Sequence, residues 1–209
     1  MSDLEKTYHY RFRTVLVPLA HAIELQLQRD MEGEPRIDRI SARPKSVGKF
    51  LRKAAKVLED GQPKYTEPLR QIQDQIGARI VTFYPSDVAR IKGVVEKYYR
   101  PIEQQNLVPE SEWEFGYFGL HYVLLLPSDI LDPAVGASLR PEFFELQIKT
   151  LFQHAWSEAN HDLGYKPDAT PLSPGDQRLL ALASAQSWGA DRIFEELFQE
   201  RERLAATGG

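Results

Sequence analysis

The chain has 209 residues, enough for one domain with a substantial core, and its hydrophobic (42%) and charged (27%) fractions are those of an ordinary globular protein. A formal net charge of −4 excludes a global attraction to nucleic acid or anionic membrane and leaves only local basic patches. The lack of cysteine excludes disulfides and thiolate metal sites and fits a reducing compartment. No apolar run approaches the roughly 20 residues of a bilayer span, and the first residues lack the basic-then-apolar pattern of a secretory signal. The expectation is a cytoplasmic protein without a membrane partner. An effector exported without a signal peptide would have the same composition.

No internal repeat or low-complexity tract is visible. Val15, Leu16, Leu19, Ile23 and Leu27 are spaced for a buried stripe and predict a helix over 4–29, broken over 31–35. A short strand is expected over 37–42. Val47, Leu51, Ala54 and Leu58 predict a second helix over 45–58, ended by Asp60-Gly61-Gln62-Pro63. Strand formers crowd 76–83. Pro85-Ser86-Asp87 then starts a helix that turns Val88, Ile91, Val95 and Tyr98 or Tyr99 to a core. The longest apolar run, 117–126, predicts a central strand. Another strand is expected over 143–149 and a helix over 150–164. Pro171-Leu172-Ser173-Pro174 links to a final helix over 176–204. Helices at both ends of a strand-rich middle predict an α+β fold, one domain over 1–209, with terminal helices that cap the core or mediate assembly.

Polar residues gather in four places. Arg43, Lys45, Lys49, Arg52, Lys53 and Lys56 crowd one short region, and the four lysines share a helical side. They form either a solvated face or a polyphosphate cradle, in which an arginine plane can also stack on a base. Asp74 stands at the entrance of the 76–83 strand, suited to a hard cation such as Mg²⁺. Arg79 lies inside that strand and must find an anion, a π-face or water. Strict alternation puts the two on opposite faces, whereas a bulge at Gly77 would let them pair. On the next strand Tyr117, Gly119 and His121 alternate onto one face and leave a gap shaped for a flat base. In 144–166, Glu145, Gln147 and Lys149 share a strand face, and His154, Glu158 and His161 share a helical stripe with Tyr165 following. That stripe is not the His-Glu-x-x-His zinc pattern. The His161-Asp162 pair lacks the further His and Asp set of a metal phosphohydrolase. Trp113, Trp156 and Trp188 read as core or edge aromatics.

In order, these blocks resemble the synthetase domain of RelA/SpoT-type alarmone synthetases over about 43–166, in a small synthetase-only form. The basic motif appears as Arg43-Pro44-Lys45 with Lys53, and the Asp-x-x-Gly-x-Arg block as Asp74 to Arg79. Gly-Tyr-x-x-x-His appears as Gly116 to His121. Glu-x-Gln-Ile-x-Thr, then His-Ala-Trp and Tyr-Lys, appear within Glu145 to Lys166. The resemblance implies a nucleotidyltransferase-like mixed sheet flanked by helices, with a core over 37–166 and helical extensions over 4–30 and 176–204. It implies transfer of pyrophosphate from ATP to the 3′-hydroxyl of GDP or GTP, with Mg²⁺ as cofactor. Arg43 and Arg79 would sandwich the adenine, and Lys45 and Lys53 would hold its phosphates. Asp74 would bind the metal, and Glu145 would share it or act as base toward the 3′-hydroxyl. Tyr117, His121, Gln147 and His154 would meet the acceptor.

Four departures fall mainly on the acceptor side. Trp113-Glu114-Phe115 stands where Lys-x-Asn is frequent, Gly119 where serine is, Lys149 where arginine is, and Asn160 where glutamate is. The acceptor therefore stays open between guanine nucleotides, adenine nucleotides and the 3′ end of tRNA, the last two being the acceptors of toxin members that work beside an antitoxin. A non-catalytic nucleotide-binding module is the alternative of another class, and a homo-oligomer is a further expectation. A separate hydrolase domain is not expected.

Overall fold

The computed structural model describes residues 2–107, 115–116, 119–164 and 172–207. The N-terminal helical stretch opens with α1 (Asp3–Arg11), passes through a π-helical turn (Phe12–Leu16) and continues as α2 (Val17–Asp30). The turn has a local cause. Pro18 has no N–H to continue the regular ladder, and the Val17 N–H reaches back five residues to Phe12 O. Then come β1 (Ile37–Pro44), α3 (Val47–Ala54), α4 (Pro68–Gln71), β2 (Ile76–Thr82) and α5 (Pro85–Tyr98). The second half holds β3 (Pro101–Leu107), β4 (Gly119–Leu125), β5 (Phe143–Thr150), α6 (Leu151–Gly164) and α7 (Pro174–Thr207).

The five strands form one mixed sheet in the order β1-β2-β5-β4-β3. The central β2–β5 pair is parallel and the other three pairs are antiparallel. This agrees with the expected α+β fold of a mixed sheet between helices. Alternation sorts the two faces. One face carries Ile80, Ile148 and Leu120 in one cross-strand row and Ala78, Leu146 and Tyr122 in the next. These side chains are buried together with Ile23 and Leu27 of α2 and Ile91 and Val95 of α5. The opposite face is polar and is approached by α6, whose His154 and Glu158 reach Arg79 of β2.

One helix boundary needs correction. The helix predicted over 45–58 ends at Ala54, because Val57 leaves it to form a bridge with Pro63. β3 and α4 carry no apolar period, and the sequence gives no sign of either; residues 101–106 of β3 are exposed throughout. Of the two tyrosines offered to the core, Tyr99 is buried and Tyr98 is exposed. The 34-residue α7 packs on α6 and α5 but leaves Leu179, Leu182, Ile193, Phe194 and Leu197 exposed, so it covers the core with only part of its circumference. No described helix is long and apolar enough to cross a membrane.

Candidate functional site

The strand registers build the site. One row across the polar face reads Gln105, His121, Gln147, Arg79 and Ser41, from β3 to β1. The adjacent row reads Glu103, Val123, Glu145, Gly77 and Arg43. Gly77 therefore separates Arg43 from Glu145, and a Cβ placed on it would meet nothing within 4 Å. The space above it is open, with Arg43 on one side and Glu145 on the other. The register runs unbroken through Gly77, so the bulge considered there is not formed; the irregularity of this ladder lies between Ile37 and Arg39.

A cationic corner closes one end. Lys45 follows β1, and its backbone is pinned twice: its N–H donates to Gln75 O at 2.8 Å, and its carbonyl accepts from the Tyr8 hydroxyl at 2.8 Å. Tyr8 is itself stacked on Phe50 of α3, with centroids 3.6 Å apart. Lys45 and Lys53 each place Nζ 2.9 Å from Asp74 Oδ2. Burial opposes the Asp74 charge, but the two ammoniums, Lys45 foremost, outweigh it and hold the carboxyl below its ordinary value. Asp74 Oδ1 is buried without a hydrogen-bond partner. Burial and then the neighbouring Arg43, Lys45 and Arg52 lower the pKa of Lys49, so the cations crowd one another.

Glu145 and Arg79 lie farther in. Glu145 Oε1 accepts from Gln147 Nε2 at 2.6 Å and stands 3.4 Å from His121 Nδ1. Arg79 Nη1 donates to Glu158 Oε1 at 2.8 Å and lies 3.0 Å from His154 Nδ1. Its Nη2 is 3.4 Å from Gln147 Oε1, and its Nε is buried without a partner. Lys49 Nζ is 3.2 Å from His161 Nε2, a contact between α3 and α6. Burial lowers the His121 pKa to about 4, with Lys149 and Arg79 adding to the shift. Burial, with Arg79, lowers Lys149 to about 7. Lys149 donates to Ser157 of α6 at 3.1 Å. Burial first, and the neighbouring cations second, disfavour further positive charge on this face, and a bound polyphosphate would offset the second of these.

The structure thus brings Arg43, Lys45, Lys53, Asp74, Arg79, His121, Glu145, Gln147 and His154 to one face and its rim. Asp74 and Arg79 do not pair with each other; each has its own partners. Tyr117 lies outside the described residues, as do Trp113, Glu114, Tyr165 and Lys166. Phe115 meets Trp188 edge to face at 5.9 Å, and Trp156 donates to Leu180 O at 3.3 Å, so both tryptophans are structural here. One residue of the site escaped the sequence, and another was named without its partner. Gln105 extends the polar row but sits on an edge strand without an apolar period. Glu158 was visible only as part of a stripe, and its partner Arg79 is 79 residues away.

Among the described residues no group of three or more His, Asp or Glu side chains is placed to hold a metal. The His154, Glu158 and His161 stripe is taken up by Arg79 and Lys49 instead. The donor set does fit a hard divalent ion that draws most of its oxygens from a bound phosphate and water: one carboxylate oxygen of Asp74 is buried and unpartnered, and Glu145 is the cross-strand neighbour of Gly77, three residues on from Asp74.

Residues 42–170 match the family model described as a region found in RelA/SpoT proteins, more than half of the chain. GTP pyrophosphokinase YjbM of Bacillus subtilis (strain 168) is 27% identical over 156 residues, covering 72% of this chain and 69% of that protein. The crystal structure of small alarmone synthetase 1 from Bacillus subtilis superposes with a TM-score of 0.75, covering 97% of this chain and 100% of the other at 22% identity. Small alarmone synthetase 1 from Bacillus subtilis bound to its product pppGpp gives a TM-score of 0.70 at 25% identity, over 88% of this chain and 94% of that one. With the described site residues gathered on one face of the matching fold and its rim, the chain belongs to the RelA/SpoT family.

Proposed function

We propose that this chain is a pyrophosphokinase that moves the β,γ-pyrophosphate of ATP to the 3′-hydroxyl of GDP or GTP. The acceptor oxygen bonds to the β-phosphorus, the bond from that phosphorus to the α,β-bridging oxygen breaks, and AMP leaves with the electron pair. The observation that carries this reading is the row in which Glu145 stands beside open space above Gly77, with Arg43 beyond it and Lys45, Lys53 and Asp74 at the adjoining corner. Its relatives add support, one being a GTP pyrophosphokinase and another having been crystallised with pppGpp.

Each side chain then has a task. Arg43 and Arg79 hold the adenine of the donor, Arg79 leaving Glu158 and His154 to do so. Lys45 and Lys53 neutralise the donor phosphates, which takes them from Asp74 and frees that carboxylate. Asp74 and Glu145 would hold Mg²⁺, which when bound screens the charge developing on the transferred group. Glu145 takes the proton of the acceptor hydroxyl, oriented by Gln147 and His121. His121, neutral at pH 7, offers the acceptor a hydrogen bond rather than a charge. Tyr117 supplies the stacking surface for the acceptor base, and His154, released by Arg79, meets its edge. We read 1–209 as one synthetase domain acting in the cytoplasm, where its nucleotide substrates are.

The test is direct. ATP labelled at the γ-phosphate is offered with GDP, GTP, ADP or deacylated tRNA in separate reactions, with Mg²⁺ and after chelation. Label is expected on GDP or GTP and lost on chelation. Label on ADP or on tRNA alone would move the enzyme to the toxin type of acceptor, and label on none would leave a nucleotide-binding module.

A further inference from the structure

Beyond the start of β2 and β5 lies a cavity of about 350 Å³ that shares no lining residue with the site above. Arg11 of α1, Arg70 of α4, Gln75, Arg140 on the approach to β5 and Phe143 at its start form its walls. Arg11 is 1% exposed. Its Nη1 donates to Leu69 O at 2.8 Å, and its Nε has no partner. Arg140 Nη2 donates to Pro133 O at 2.8 Å, and its Nε is likewise buried and unpartnered. Gln75 is 2% exposed; its Nε2 is used twice, by Leu69 O and Ile72 O, and its Oε1 is left over.

The charge is one-sided. Among the described residues neither Arg11 nor Arg140 pairs with a carboxylate, and Arg70 meets only Glu67, at 3.6 Å on the surface. The acid among the lining residues is Glu142, which is exposed. A buried guanidinium keeps its proton, so it needs an anion or a full set of acceptors. Burial draws the Arg11 pKa below the ordinary arginine value, as an uncompensated cation requires.

We propose that this cavity binds a compact oxyanion, the phosphate or carboxylate group of a small molecule, held between Arg11 and Arg140 with Arg70 at the mouth. Planar guanidinium forks match such groups in a two-point fashion. The position has a consequence for the substrate face. Gln73 and Gln75 both line the cavity and Asp74 stands between them, while Gln75 O fixes Lys45 through its N–H. An anion here would steady the turn that carries the Asp74 and Lys45 pair. The inference rests on these residues alone and not on the reaction proposed above.

Inorganic phosphate and, separately, succinate are titrated into the full chain while the Arg11 Nε–H resonance and the heat of binding are followed. Saturation by either anion is expected, with a shift of the Arg11 signal. Arg140→Ala should weaken binding at least tenfold, whereas Lys53→Ala, which strips a cation from the substrate face, should leave it unchanged. Phosphate alone saturating assigns the group as phosphate, and succinate competing extends it to carboxylates. If neither anion saturates, if Arg140→Ala binds as the parent does, or if binding follows Lys53→Ala instead, the proposal is overturned. Arg140 lies in a half-buried loop position, so its loss leaves the core in place.

Discussion

The two faces of the sheet share one backbone and differ in everything the side chains add. On one face Ile80, Ile148 and Leu120 close against α2 and α5 with almost no exposed surface. On the other, offset by a single residue along each strand, Arg79 meets Gln147, Gln147 donates to Glu145, and Glu145 stands beside His121. The apolar face gains stability from burial. The polar face forgoes that gain: Lys149 is buried with its charge disfavoured, and buried nitrogen or oxygen atoms of Arg79 and Asp74 stand unpartnered. A face that leaves strong polar groups unsatisfied is prepared to satisfy them with something else.

Substitutions on neighbouring residues of β5 separate the two roles. Glu145→Gln should lower the turnover of pyrophosphate transfer by about 10²–10⁴-fold, the usual range for a general base, with an unchanged melting curve. Normal turnover in that variant would remove Glu145 from the mechanism. Three residues on, Ile148→Ala should cost about 2–5 kcal/mol of stability by denaturant unfolding, while KM for ATP in the folded fraction stays as it was. A KM change at constant stability would mean that the faces are not independent.

The smallest effect concerns the seam where α7 joins the sheet. Asp191 is 4% exposed, accepts from Thr150 at the end of β5 at 2.7 Å, and leaves Oδ1 unpartnered. Burial, aided by Glu195 against the Thr150 hydrogen bond, raises its pKa from 3.8 to about 6. The folded state then holds more protons than the unfolded state between those values, so stability falls as pH rises through that window. Asp191→Asn should flatten this fall and gain about 1–2 kcal/mol near pH 7, read from thermal melts at pH 4.5 and pH 7. A parent protein whose stability is flat over that range would show that Asp191 is solvated.

Much of this was legible in the chain. The 76–83 and 143–149 strands were marked by β-branched and alternating residues, and Glu145, Gln147 and Lys149 were placed on their common face by period alone. The motif blocks assigned the donor cations and Asp74 to one site. What the chain could not display were partners made by distant packing. Asp74 held by two ammoniums, and Arg79 held by Glu158 and His154, are contacts across long loops that leave no local pattern. β3 stayed hidden because an edge strand exposed on both faces has no apolar period. The buried state of Lys149 depends on α6 folding back over its own preceding strand.

The parallel pairing of β2 with β5 has one more consequence. Arg79 and Gln147 are 68 positions apart, and everything between them, including the crossover to the far edge and the return through β3 and β4, must be laid down before they can be neighbours. Such nonlocal contacts are expected late in folding. Nucleotide capture should therefore be absent from any partly assembled chain, and newly made molecules would stay silent until the last central strand is seated.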